Sequence, residues 1–121
     1  MRLTDRETDI MNVLWEHGSS TVAQVHGHLR DRLAYTTVLS MLRILERKHV
    51  LTRVKEGRAH RYSARLTRDA VRQRAITALA RKFFRGSTAA LLVHLLEHDD
   101  SDDAEIGRLR AALRQTRGRA T

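Results

Sequence analysis

The residues best placed to do chemistry lie between positions 34 and 48. At 100° per residue, Val38, Met41, Leu42 and Leu45 fall within one narrow arc of a helix, and Thr36, Ser40, Arg43 and Arg47 fall on the opposite side. Short hydroxyl side chains let a helix approach base edges closely in the major groove, where they donate, accept or touch a thymine methyl. An arginine farther along can pair with guanine O6 and N7, or with a phosphate. Arg47, a turn beyond Arg43, suits a backbone clamp, and the free N–H groups of the helix start favour a phosphate. A solvated amphipathic face would show the same pattern, so the helix alone decides nothing. The next segment of the chain tips the balance: Arg53, Lys55, Arg58, His60 and Arg61 lie around Glu56-Gly57-Arg58, a hairpin signal in which glycine supplies positive φ. Arg53 and Lys55 share a strand face, and Arg58 at the tip can reach a minor groove or flanking phosphates.

Other constellations are weaker. His94 and His98 are four apart on a predicted helix near Asp99, Asp102 and Asp103, a spacing that could hold zinc or copper. A polar helix end running into an acidic turn is the simpler account, so neither metal nor cofactor is expected. His26 and His28, two apart, point to different sides of a helix and read as surface residues. Trp15 reads as a core anchor, and no phosphate loop, nucleophile elbow or HExxH motif occurs.

The chain that must position these groups has 121 residues and a net charge of +9. Ten basic and three acidic residues lie between positions 30 and 65, so this segment holds +7 of that charge. A field so concentrated calls for a polyanion. Strand-like alternation and polar turns favour nucleic acid over a membrane surface, which a basic amphipathic helix with bulky anchors would suit. The absence of cysteine excludes disulfides and thiolate chemistry. With no signal-peptide core and no apolar run near 18 residues, a cytoplasmic protein without direct membrane binding is expected.

Proline is absent and aromatics make up 4%, which favours long helices packed through aliphatic side chains. Thr4-Asp5-Arg6-Glu7 has the form of a capping box opening a helix with Ile10, Met11, Val13 and Leu14 on its apolar side, ended by Gly18. Ser20 or Thr21 can cap a second helix carrying Val22, Val25 and Leu29. The third helix and two short strands, 51–55 and 59–63, come next. Three helices and a charged hairpin are the order of a winged helix-turn-helix domain, here 1–66.

The remainder, 67–121, is helical in pattern. Val71, Ala75, Ala78, Leu79 and Phe83 form one stripe, Leu91, Leu92, Leu95 and Leu96 a second, and Ile106, Leu109 and Leu113 a third. About 55 residues bury only a thin core alone. The predicted architecture is therefore mainly α with a small β-hairpin, a winged-helix domain followed by a helical dimerisation domain. Val71, Leu79, Phe83, Leu91, Leu92, Leu95, Leu109 and Leu113 are the expected dimerisation residues. A non-specific architectural nucleic-acid binder is the alternative the charge alone would permit. A protein-interaction module is a third, and the chemistry of the exposed helix face disfavours it.

Leu3-Thr4, Glu7, Ile10-Met11, Val13-Leu14-Trp15, Thr21-Val22, Val25, Leu33-Ala34-Tyr35-Thr36-Thr37-Val38, and Glu56-Gly57-Arg58-Ala59 with Tyr62 resemble, in order, the penicillinase-repressor family of bacterial winged-helix regulators. BlaI and MecI belong to it, with the copper-responsive CopY proteins as relatives. The resemblance covers nearly the whole chain. It implies a non-enzymatic homodimer repressing transcription from a dyad-symmetric operator, with half-sites about one helical turn (~10 bp) or a multiple apart. Thr36, Thr37 and Ser40 carry over as base or phosphate contacts, and Tyr35 and the wing arginine as backbone contacts. The full expected DNA-binding set is Tyr35, Thr36, Thr37, Ser40, Arg43, Arg47, Arg53, Lys55, Arg58 and Arg61. Copper-responsive relatives use paired C-terminal cysteines, which this chain lacks. β-Lactam-responsive relatives are cut by a membrane-bound sensor metalloprotease at an Asn-Phe bond, and His94-Leu95 occupies that position here. Proteolysis or another signal is the expected release.

Overall fold

The computed structural model describes residues 2–98 and 104–119. Helix α1 (Asp5–His17) opens on the anticipated capping box, with Thr4 Oγ1 accepting from Glu7 N at 3.2 Å and Glu7 Oε1 from Thr4 N at 3.0 Å. Gly18 ends it at φ +79. Strand β1 (Ser20–Thr21) leads into α2 (Val22–His28), and of the two possible caps Thr21 is the one used, forming a second capping box with Gln24. Ser20 is instead buried in the sheet, donating to the Gly18 carbonyl at 2.9 Å.

Helix α3 (Tyr35–Arg47) is followed by β2 (Leu51–Glu56) and β3 (Ala59–Ala64), the turn carrying Gly57 at φ +62. The sheet has three strands in the order β1-β3-β2, all antiparallel. The sequence pattern shows two. β1 is only two residues long and forms through pairing 40 residues away, Ser20 with Tyr62 and Thr21 with Arg61, so no local alternation announces it.

Ile10, Met11, Val25, Val38, Leu42, Leu45, Val50 and Tyr62 are fully buried in a core joining the first three helices to the sheet. Met41 is only half-buried at its edge. The Trp15 indole N–H donates to the Leu66 carbonyl at 3.0 Å and Arg68 lies over its ring, so this side chain ties α1 to the chain leaving the sheet. Lys48 Nζ lies 2.9 Å from each carboxylate oxygen of Glu7 and 2.8 Å from the Arg2 carbonyl, linking the end of α3 to the start of α1.

Helices α4 (Arg68–Phe83), α5 (Thr88–Glu97) and α6 (Ala104–Arg119) complete the chain. Two compact units result, one through Ala75 and one from Ile76. The first turns of α4 belong with the winged unit because Val71 packs against its core. In the second unit, Gly86 at φ +85 closes α4 and Ser87 caps α5 by accepting from Ala90 N at 3.0 Å. Ala80 and Leu91 are its buried hydrophobic residues among those described. Leu79, Phe83, Leu92, Leu95 and Leu109 are exposed, together with Ile76 and Val93. The side chain of Leu113 lies outside the described residues. No described helix is long and apolar enough to cross a membrane.

Candidate nucleic-acid interface

Helix α3 is held by its apolar side: Val38, Leu42 and Leu45 are each 0% exposed. Geometry then dictates that Thr36, Thr37, Ser40, Arg43 and Arg47 face outward, and all five are exposed. Tyr35 starts the helix, 49% exposed, with its ring edge-on to His26 at 6.0 Å. The N-cap is Ala34, which offers no side-chain acceptor. The first-turn N–H groups are therefore left for an outside acceptor. One ring nitrogen of His26 lies 2.7 Å from the Leu33 carbonyl, in the segment just before the helix. His28 stacks on His17 at 3.9 Å between centroids. These two histidines remain exposed, as expected, yet each has a partner that sequence spacing does not show.

The hairpin register places Arg53 opposite Tyr62 and Lys55 opposite His60, on the sheet face that also carries the buried Leu51. Val54 and Glu56 lie on the other face, opposite Arg61 and Ala59. The basic wing residues are thus split. Arg53 Nε meets Glu46 of α3 at 3.1 Å, joining wing to helix. Arg43, Glu46, Arg47 and Arg53 line an open basin of about 420 Å³. Arg61 instead donates through Nε to Glu56 Oε2 at 2.5 Å and through Nη1 to the Ser19 carbonyl at 2.9 Å. The hydrogen bond and charge of Arg61 hold the Glu56 carboxyl below its ordinary range, and Glu56 raises Arg61 in return.

Arg43, Arg47, Lys55 and Arg58 make no ion pair among the described residues. Of the six cations singled out in the sequence, four stand open to a polyanion and two are engaged within the fold. The Glu56–Arg61 pairing could have been found by counting: a two-residue turn at 57–58 puts 54 opposite 61 and makes 56 its diagonal neighbour on one face. The Glu46–Arg53 and Lys48–Glu7 pairs have no such signal, because tertiary packing brings them together.

His94 and His98 stack at 4.2 Å, and His98 Nδ1 lies 3.0 Å from the His94 carbonyl. Among the described residues no group of three ligating side chains gathers anywhere. Asp99, Asp102 and Asp103 lie outside the described residues.

A helix docked by one side, with hydroxyls and free guanidiniums on the other and a cationic two-stranded wing beside it, defines a winged-helix DNA-binding protein. The penicillinase repressor family model matches residues 3–115. The transcriptional regulator BlaI of Mycobacterium tuberculosis is 40% identical over 116 residues, 93% of this chain and 83% of that one. Penicillinase repressors of Bacillus licheniformis and Staphylococcus aureus are 25% and 20% identical, over 98% and 88% of this chain and 94% and 86% of theirs. A solved MarR family protein from Bacillus stearothermophilus is a looser likeness, 21% identical with a TM-score of 0.49 over 99% of this chain and 76% of that one. The chain belongs to the penicillinase repressor family. It is a sequence-specific DNA-binding transcriptional repressor of that winged-helix type.

Proposed function

We propose that two copies of this chain, paired through the helices after Ile76, set their α3 helices into successive major grooves of a dyad-symmetric operator and block transcription. The observation that carries this reading is the outward face of α3: Thr36, Thr37, Ser40, Arg43 and Arg47 are all exposed, and no ion pair among the described residues neutralises the two arginines. Thr36, Thr37 and Ser40 meet base edges, Arg43 a guanine or phosphate, and Arg47 the backbone. Tyr35 and the open first turn of α3 take a phosphate, and Lys55 and Arg58 follow the adjacent groove. Arg53 reaches the same strand from its pairing with Glu46.

Pairing is supported by the apolar surface of the second unit. Ile76, Leu79 and Phe83 recur at helical spacing along α4, Leu92 and Leu95 lie on α5 and Leu109 on α6, all more than 40% exposed. Surface of that kind on a chain of this size is characteristic of an interface. Relief of repression by a sensor protease would require a cut in α5 at 94–95, where Leu95 is 57% exposed.

Selection of duplexes from a random-sequence pool by the full-length protein, followed by footprinting, tests the reading. A palindromic consensus is expected, with affinity falling steeply with salt as for roughly 6–10 phosphate contacts per dimer. Arg43→Ala and Thr37→Ala should weaken the selected duplex far more than random DNA, Arg43→Ala by about 1–3 kcal/mol if it pairs with a guanine. Enrichment of no sequence at physiological salt would sink the reading in favour of a non-specific binder.

A further inference from the structure

We infer that Arg61 serves DNA binding as a positioning residue, a brace that sets the angle of the wing, and does not itself contact phosphate. Arg61 is where β3 stops being flanked on both sides: it pairs with Thr21 of β1 on one edge and Val54 of β2 on the other. Beyond it, toward the tip, β3 has β2 alone, and residues 52–59 are exposed throughout. A two-stranded ribbon of that kind has little stiffness of its own.

The guanidinium fork of Arg61 is committed on both sides of this pivot. Nε and Nη2 reach the two carboxylate oxygens of Glu56 at the wing's end, and Nη1 reaches the Ser19 carbonyl in the segment between α1 and β1. One planar side chain therefore connects the free part of the wing to the body of the winged unit, across 42 residues of sequence. Its face of the hairpin is opposite that of Arg53 and Lys55. Arg53, bonded to Glu46 on α3, steadies the other face. The two pairs together hold Lys55 and Arg58 at a set reach from the outward side of α3.

This rests on the reading of Arg58 as a DNA contact, and the test separates the two. Binding of the full-length protein to a duplex selected from a random pool is measured against salt for Arg61→Lys, Arg61→Ala, Glu56→Gln, the Glu56→Gln/Arg61→Ala pair and Arg58→Ala. A lysine satisfies a phosphate but cannot span Glu56 and Ser19 at once. Arg61→Lys, Arg61→Ala and Glu56→Gln should each weaken binding roughly threefold to tenfold, the scale of one ordinary net hydrogen bond in a solvent-exposed pair. The double variant should be no weaker than Arg61→Ala. The slope of log K against log salt should stay at the wild-type value in all four, while Arg58→Ala lowers it by about 0.9. Faster amide exchange in β2 and β3 of Arg61→Ala would accompany the loss. Wild-type affinity in Arg61→Lys, tighter binding in Glu56→Gln, or a slope reduced by about 0.9 in Arg61→Ala would each make Arg61 a phosphate contact and overturn the brace. An unchanged slope in Arg58→Ala would overturn the wing's DNA contact, and the brace with it.

Discussion

The two units of this chain solve the problem of burial differently. The winged unit closes a core of twelve buried hydrophobic residues upon itself and stitches its ends together with Lys48–Glu7 and Trp15–Leu66. The second unit buries Ala80 and Leu91 among its described residues and leaves seven large hydrophobic side chains exposed. Both are built from helices with apolar stripes. In the first, the sheet and three helices surround a common centre. In the second, helices without a sheet to pack on leave much of their stripes uncovered within the chain. An apolar stripe thus predicts burial, while whether the same chain supplies the cover depends on how many layers it can assemble around the stripe.

The largest effect that would sharpen the contrast is Leu42→Ala. With Leu42 0% exposed at the centre of the first core, the substitution should cost about 3–4 kcal/mol of unfolding free energy, read by denaturant titration with unchanged m-value. A cost near 1 kcal/mol would mean the winged core collapses around the gap and is less tightly packed than its burial implies.

Next comes the Lys48–Glu7 pair. Burial of Glu7 raises its carboxyl, but the hydrogen bonds from Lys48 and Thr4 and the charge of Lys48 outweigh that and leave it lowered. A carboxylate depressed in the folded state contributes stability that is complete above its unfolded value and lost as pH falls through its folded one. Wild-type stability should therefore decline below the ordinary glutamate range (~4.3), and Glu7→Gln should flatten that decline. Lys48→Met, which strands the Glu7 carboxylate at 4% exposure, should cost about 2–3 kcal/mol at neutral pH. A pH profile identical in wild type and Glu7→Gln would break the assignment.

For the second unit, Phe83→Asp should weaken self-association by about 2 kcal/mol while leaving the melting of the winged unit in place. Sedimentation at several concentrations measures the first and tryptophan emission from Trp15 the second. A variant as dimeric as the wild type would remove Phe83 (65% exposed) from the interface. The smallest effect is Thr21→Ala, which deletes the cap of α2 and should cost about 1 kcal/mol. Its signature is local: exchange of the Gln24 amide, which donates to Thr21 Oγ1, should quicken more than that of the α1 amides.

Much of the interface was legible in the sequence because helical periodicity and charge are local properties. The arc of Val38, Leu42 and Leu45 fixes which side of α3 is hidden, and so which side holds Thr36, Ser40, Arg43 and Arg47. The capping box at Thr4 and the Gly57 turn depend on residues within three positions of one another, whereas for α2 the sequence offered Ser20 and Thr21 alike and packing of Ser20 into the sheet left the cap to Thr21. The allocation of the wing cations was not legible as a whole. Arg53 and Arg58 look alike in the sequence, and only the approach of α3 and β2 gives Arg53 a carboxylate, while Arg58 has none among the described residues.

Residue type and order were enough to set the helices and hairpin, the docked side of α3 and the concentration of positive charge, since these depend on a constant rise and turn per residue. Folding in three dimensions was needed to bring β1 into the sheet, to start α4 on the winged core through Val71, and to bring Arg61 onto the Ser19 carbonyl. Those outcomes depend on contacts between segments some 40 residues or more apart in most cases, whose partners are chosen by packing and hydrogen-bond satisfaction and leave no periodic trace along the chain.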